Sequence, residues 1–136
     1  MIQTNEKELT QYYATIQTNG KLIAPIHAQR WSSALLKTLG LNINKGTKKS
    51  LAKALPEPLC NDLSRVFWLA NFRDTNMTAY EFQELVARRS GNSDPNFAKH
   101  PIIAIFGALK QLIDAQMSDQ VASDLSPELR DLWQNA

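Results

Sequence analysis

Cysteine is nearly missing from this chain: Cys60 is the only one in 136 residues, so no disulfide can close within it and an oxidising compartment is not required. Histidine is almost as scarce, with His27 and His100 far apart in the sequence and each beside a proline-marked helix start. A metal site draws several Cys, His or carboxylate ligands to about 2 Å of one ion, so two isolated histidines read as structural. Five glycines and six prolines are too few for a linker or a low-complexity protein. The apolar run from Ile102 to Ala108 soon meets Lys110, well short of the roughly 20 residues of a membrane span. The first residues have neither the basic nor the apolar region of a secretory signal. A soluble, cytoplasmic, globular protein is expected, without metal or cofactor.

Signatures of catalysis are equally thin. Neither Gly-x-Gly-x-x-Gly nor Gly-x-x-x-x-Gly-Lys-Ser/Thr occurs, which removes the usual backbone cradles for nucleotide phosphates. Gly46-Thr47-Lys48-Lys49 sets helix-start amides beside two lysines, a short match to an anion site. Glu81 and Glu84 lie one helical turn apart, but Glu81 is placed as a capping residue. Cys60 lies near a helix start with no histidine at a nearby helical spacing, and reads as half-buried packing rather than as a nucleophile. No catalytic residue emerges, and the expectation is a protein that is not an enzyme.

Helical punctuation, by contrast, recurs along the whole chain. Leu9, Tyr12, Tyr13 and Ile16 keep the i, i+3, i+4, i+7 spacing of one helical face, with Asn5 and Glu8 placed as a capping box and Gly20 as the stop. A hairpin turning at Asn19-Gly20 stays open as the alternative for residues 11–24. Pro25 to Leu39 reads as a helix striped by Trp31, Ala34, Leu35 and Leu39, with Gly40 just past its end. Thr47 is placed to cap a short helix carrying Leu51, Ala54 and Leu55, which Pro56 halts. From Pro58 the stripe Leu59, Leu63, Val66, Phe67 and Ala70 predicts a helix running to a polar turn at 73–76.

Thr78 and Glu81 form a second capping box, for a helix that carries Phe82, Leu85 and Val86 and closes at Gly91. Asp94-Pro95 opens one turn that His100-Pro101 interrupts. Pro101 to about Ala115, apolar on nearly every side, is the expected central helix. Ser118 is placed to cap a helix with Val121, Ala122 and Leu125, and Ser126-Pro127 to start the last one, with Leu129, Leu132 and Trp133. The chain therefore predicts an all-α fold, a single compact domain of about eight helices, with an N-terminal amphipathic helix and turn over 1–23 and the helical domain over 24–136.

Two blocks recur in the same order. Trp31 to Gly40 spaces aromatic, aliphatic and glycine as Phe82 to Gly91 does, and Leu51-Ala52…Leu55-Pro56-Glu57-Pro58-Leu59 parallels Val121-Ala122…Leu125-Ser126-Pro127-Glu128-Leu129. Two imperfectly repeated helical units are expected, at about 24–76 and 77–136, each needing the other to cover its apolar stripe. The order amphipathic helix, glycine, central apolar helix, Leu-(Pro/Ser)-x-x-Leu and terminal Leu-Trp resembles the bacterial family called domain of unknown function 2267, over roughly residues 24–136. Phe82, Gly91, Leu125, Leu129 and Leu132 carry the match in the second unit, and Gly40, Leu55, Pro56 and Leu59 in the first. Gly40-Leu-Asn-Ile-Asn and Phe67-Trp-Leu-Ala-Asn-Phe-Arg look like members found in cyanobacteria. The resemblance implies an all-helical intracellular domain and brings no activity or catalytic residues with it.

Charge and aromatics supply the functional expectation. Residues 21–53 hold seven bases and no acid, whereas from residue 111 onward five carboxylates face only Arg130. This split steers a charged partner or a second copy of the chain, so a homodimer is allowed. Trp31, Phe67, Trp68, Phe72, Phe82, Phe106 and Trp133 read first as core, but Phe67 and Trp68 project about 100° apart and cannot both point inward. The expected partner-binding residues are Trp68, Leu69, Phe72 and Arg73, forming a groove for an amphipathic segment of another protein.

The expected function is a non-enzymatic interaction module, an adaptor or chaperone-like assembly factor that holds a short helix or tail of a larger cytoplasmic protein. The cyanobacterial likeness points to a photosynthetic or carbon-fixing assembly. The alternative is nucleic-acid or polyanion binding through the basic region 37–53, with Lys45, Lys48, Lys49 and Lys53 on one face. The acidic tail and the scarcity of arginine and exposed aromatics there disfavour it.

Overall fold

The computed structural model describes residues 2–64, 75–92 and 94–136, with side chains from Glu6 onward. Among these residues there are eight α-helices and no strand: α1 (Ile2–Asn19), α2 (Pro25–Leu39), α3 (Lys45–Ala54), α4 (Leu59–Ser64), α5 (Ala79–Ser90), α6 (Pro95–Leu112), α7 (Ala115–Asp124) and α8 (Pro127–Asn135). The all-α expectation holds. The hairpin alternative for residues 11–24 does not, because α1 continues unbroken to Asn19.

Local chemistry explains most boundaries. The Thr78 hydroxyl accepts from the Glu81 amide at 3.1 Å while the Glu81 carboxylate accepts from the Thr78 amide at 2.9 Å, which is the capping box expected for α5. Gly91 closes that helix at φ 88°, in the left-handed region that glycine adopts without penalty. Gly40, expected in the same role after α2, instead keeps φ −58°. Prolines open α2, α6 and α8, where their missing amide would have had no partner.

Four expected boundaries move. Asn5 lies inside α1, which begins at Ile2. Asn44, not Thr47, caps α3, since its side chain accepts from the Thr47 amide and so releases the Thr47 side chain to the interior. Asp114, not Ser118, caps α7 by accepting from the Met117 amide at 2.8 Å. Pro101 does not interrupt the central helix: α6 runs through it from Pro95. A proline ring suits helical φ and costs one backbone hydrogen bond. The buried face Ala98, Pro101, Ile102, Ile105 and Leu109 passes straight across it, so burial outweighs that loss. Gly20 allows the end of α1 to close over this point, since an added Cβ would stand 2.6 Å from the Ile16 carbonyl oxygen and 3.1 Å from Pro101 Cα.

Helix α2 packs on α5, α1 on α2 and α6, α5 on α6, α4 on α2 and α3, α3 on α7, and α8 on α5, α6 and α7. The centre is aromatic and aliphatic: Phe106 meets Phe82 at 5.8 Å and Trp133 at 5.1 Å between ring centroids, and Leu35, Leu36, Leu59, Leu63 and Ile105 are fully buried in the same core. Trp31 is core as expected. Phe67, Trp68 and Phe72 lie outside the described residues.

Residues 70 apart play matching parts in α3–α4 and α7–α8. Leu51 and Val121, Leu55 and Leu125, Leu59 and Leu129, Leu63 and Trp133 are all buried. Asn44 and Asp114 cap in the same way, and the Leu55 and Leu125 amides donate to Ala52 and Ala122 carbonyls alike. Equivalent helices also face each other, α2 against α5 and α3 against α7. Helix α6 precedes α7 in the second half without a counterpart between α2 and α3.

Candidate functional site

Pro56 stops α3, and α4 packs back against it. With Leu51, Leu55, Leu59 and Leu63 turned inward, the helical period leaves the other face of α3 to solvent. That face carries Lys45, Lys48, Lys49 and Lys53 at i, i+3, i+4 and i+8. Together with Ala52, Cys60, Asn61 and Ser64 they line an open cleft of about 450 Å³. The four lysines expected to share a face do so. The helix expected from Pro58 is present as α4, its later residues lying outside the described ones, but its packing beside the lysine face of α3 is a tertiary contact that no single helical stripe reveals.

The electrostatics of the cleft are one-sided. Among the described residues no carboxylate lines it. Lys48 is half-buried, and burial, with Lys45 adding to it, pulls its ammonium below the ordinary lysine pKa. The Gly46-Thr47-Lys48-Lys49 amides do not form an anion cradle, because the Asn44 side chain already occupies the Thr47 amide at 2.8 Å. An anion in this cleft would meet ammonium groups and a mostly small, weakly polar floor.

The acidic half of the chain is used differently. Asp114 caps α7, Asp124 accepts from the Asn44 amide and side chain at 3.1 Å each, and Glu128 accepts from the Ala79 amide at 2.9 Å. Arg130 donates to the Ala122 and Leu125 carbonyls. Most of the acidic surplus is therefore spent on helix ends, whereas the basic surplus faces solvent.

Trp68, Leu69, Phe72 and Arg73 lie outside the described residues. Cys60 is half-buried in the cleft, its thiol 3.8 Å from the Asn61 side-chain oxygen, and no histidine lines the cleft with it. His27 is half-buried on α2 and His100 exposed on α6, where its ring stacks edgewise on Phe97. Glu81 is spent in its capping box. Among the described residues no three His, Cys, Asp or Glu side chains are grouped to hold a metal ion, and no helix is long and apolar enough to cross a membrane.

The molecule is thus an all-helical domain of two related halves with a cationic cleft on one of them. It matches the family described as uncharacterized conserved protein (DUF2267) over residues 10–132, and the chain belongs to that family. The match begins within α1, whose Tyr12 and Ile16 are part of the common core. No curated protein matches the chain.

Proposed function

We propose that this protein is a non-catalytic interaction module, a cytoplasmic adaptor or assembly factor that holds an acidic helix or tail of another protein in the α3–α4 cleft. The observation that carries this reading is the comparison of the protein with itself. The positions of α7 equivalent to Lys45, Lys48, Lys49 and Lys53 are Ala115, Ser118, Asp119 and Ser123. Helices α3 and α7 share length, caps and inward residues, so the architecture does not need lysine at any of the four. Four ammonium groups concentrated without carboxylates serve an anionic partner, and their aliphatic stems with Ala52 offer it apolar contact. The half-buried thiol of Cys60 suits a reducing compartment.

The same lysines support a second reading, binding of nucleic acid or another polyanion. Partner recovery on the immobilised protein, followed by calorimetry with the acidic segment of the recovered partner, separates the two. Binding tighter than about 10 μM, roughly 7 kcal/mol, is expected. Replacing the four lysines by their α7 equivalents should weaken it at least about tenfold, or 1.4 kcal/mol. Unchanged affinity in that variant refutes the cleft as the site. Tighter binding of mixed-sequence single-stranded RNA, with log K falling by about 0.7 per engaged lysine per decade of salt, transfers the conclusion to the polyanion.

A further inference from the structure

A second cavity, of about 310 Å³, opens where the α1–α2 turn meets α2 and the end of α5. Its wall includes Trp31, which is otherwise buried, and Phe97, with ring centroids 6.0 Å apart. Its lining includes Lys21, His27 and Arg30, and among the described residues no carboxylate lines it. Ile23, also part of the lining, is 87% exposed, more than any other large hydrophobic residue described. Lys21 takes φ 59°, the left-handed region that disfavours every residue with a Cβ. The chain thus keeps a lysine where glycine would fit more easily and leaves an isoleucine uncovered beside it, both at the edge of one aromatic-walled cavity. The left-handed turn itself closes α1, with the Leu22 amide donating to the Gln17 carbonyl at 3.0 Å; what folding leaves unexplained is the cationic side chain placed there and the uncovered Ile23, both at the edge of the aromatic-walled cavity. The volume falls at the small end of the range for small-molecule clefts.

We propose that this cavity binds a small organic carboxylate carried on an aromatic or branched aliphatic group, the ring or branch resting on Trp31, Phe97 and Ile23 and the carboxylate held by Arg30 and Lys21. Arginine grips a carboxylate with two parallel N–H bonds, lysine adds a point charge, and the apolar end covers Ile23. The site is separate from the α3–α4 cleft and does not depend on its function.

The test is titration of the full chain with 3-phenylpropionate, followed through the Trp31 indole N–H resonance, which a Trp31→Phe variant assigns. A saturable shift with Kd below about 1 mM is expected, with affinity at least about tenfold weaker for 3-phenylpropionamide, which has the same shape without the charge. Arg30→Gln and Lys21→Gly should each weaken the acid about fivefold or more. Lys21→Gly also relaxes the backbone, so it keeps the test valid if Arg30→Gln fails to fold. Equal binding of acid and amide overturns the proposal, as does unchanged affinity in both variants. So does a response only to inorganic phosphate or to phosphatidylglycerol vesicles. The four-lysine variant of α3 should bind 3-phenylpropionate with unchanged affinity.

Discussion

The hydroxyl of Tyr12 and that of Ser32 lie 2.7 Å apart at 3% and 1% exposure, tying α1 to α2 inside the core. Tyr12→Phe deletes one hydroxyl and leaves the other dry. Ser32 sits within α2 and can turn its Oγ to the carbonyl one helical turn back, so the cost should stay near the lower end of the unsatisfied-group range, about 1 kcal/mol. Ser32→Ala strands the phenol instead, which has no neighbouring turn of its own to bond, and should cost about 2–3 kcal/mol. Removing both leaves no unpaired group, so the double variant should be more stable than the two single losses added together, by about 1–2 kcal/mol. Urea unfolding with an unchanged m-value reads all three.

The same hydroxyl also governs alkaline stability. Burial raises the Tyr12 phenol well above its ordinary pKa, and burial with Asp62 pushes Tyr13 up to about 12. Above pH 10 the unfolded chain releases these protons while the folded one keeps them. Stability is therefore full below pH 10 and falls as pH rises, for buried Tyr12 by up to about 1.4 kcal/mol per pH unit. Tyr12→Phe should flatten that limb. Strict additivity of the single variants, or an alkaline limb unchanged in Tyr12→Phe, would refute the reasoning.

Three further outcomes are expected, each read by the same unfolding measurement. Thr78→Ala removes one side of the capping box of α5 and should cost about 1 kcal/mol. Leu59→Ala and Leu129→Ala hollow equivalent, fully buried positions of the two halves, and each should cost about 2–5 kcal/mol; a negligible loss at either would break the correspondence between them. Gly20→Ala should destabilise the domain by about 1–3 kcal/mol, because its new methyl meets backbone atoms of Ile16 and Pro101 that cannot swing aside.

Elements whose signal is local were legible in the sequence. Pro25, the Thr78-Glu81 pair and Ser126-Pro127 marked helix starts because each start is made by the side chain or ring at that position. Boundaries went astray where two neighbouring residues compete for one role. Asn44 and Thr47 both suit a cap, as do Asp114 and Ser118, and tertiary contacts decide the matter: Thr47 is buried, and the Ser118 hydroxyl accepts from the Trp133 indole at 3.0 Å. Pro101 misled because its cost is local whereas the compensation comes from α1 closing over it at Gly20. The lysine face of α3 followed from helical spacing alone, but its cleft required α4, and the cavity at Trp31 assembles residues from near 21, 30 and 97 that no sequence window contains.

The two halves also separate what the helices need from what they carry. Helices α3 and α7 both lack an acid in the first turn, but α3 starts at neutral Asn44 where α7 starts at Asp114, although that end of a helix favours negative charge. Lys49 lies four residues from both Lys45 and Lys53, so it enters two like-charge i, i+4 pairs, each unfavourable by roughly 0.2–0.5 kcal/mol. Its counterpart on α7 is Asp119. Lys49→Glu would turn both repulsions into attractions and should stabilise the domain by about 0.5–1 kcal/mol, a rise in midpoint urea concentration at constant m. The same change should weaken capture of an acidic segment, since it sets a carboxylate among the ammonium groups of the cleft. Gain in stability with loss of binding is the pattern of a residue retained for a partner at the fold's expense. A Lys49→Glu variant less stable than the parent would mean that the lysines serve the helix after all, and the inference from α7 to the function of α3 would fail with it.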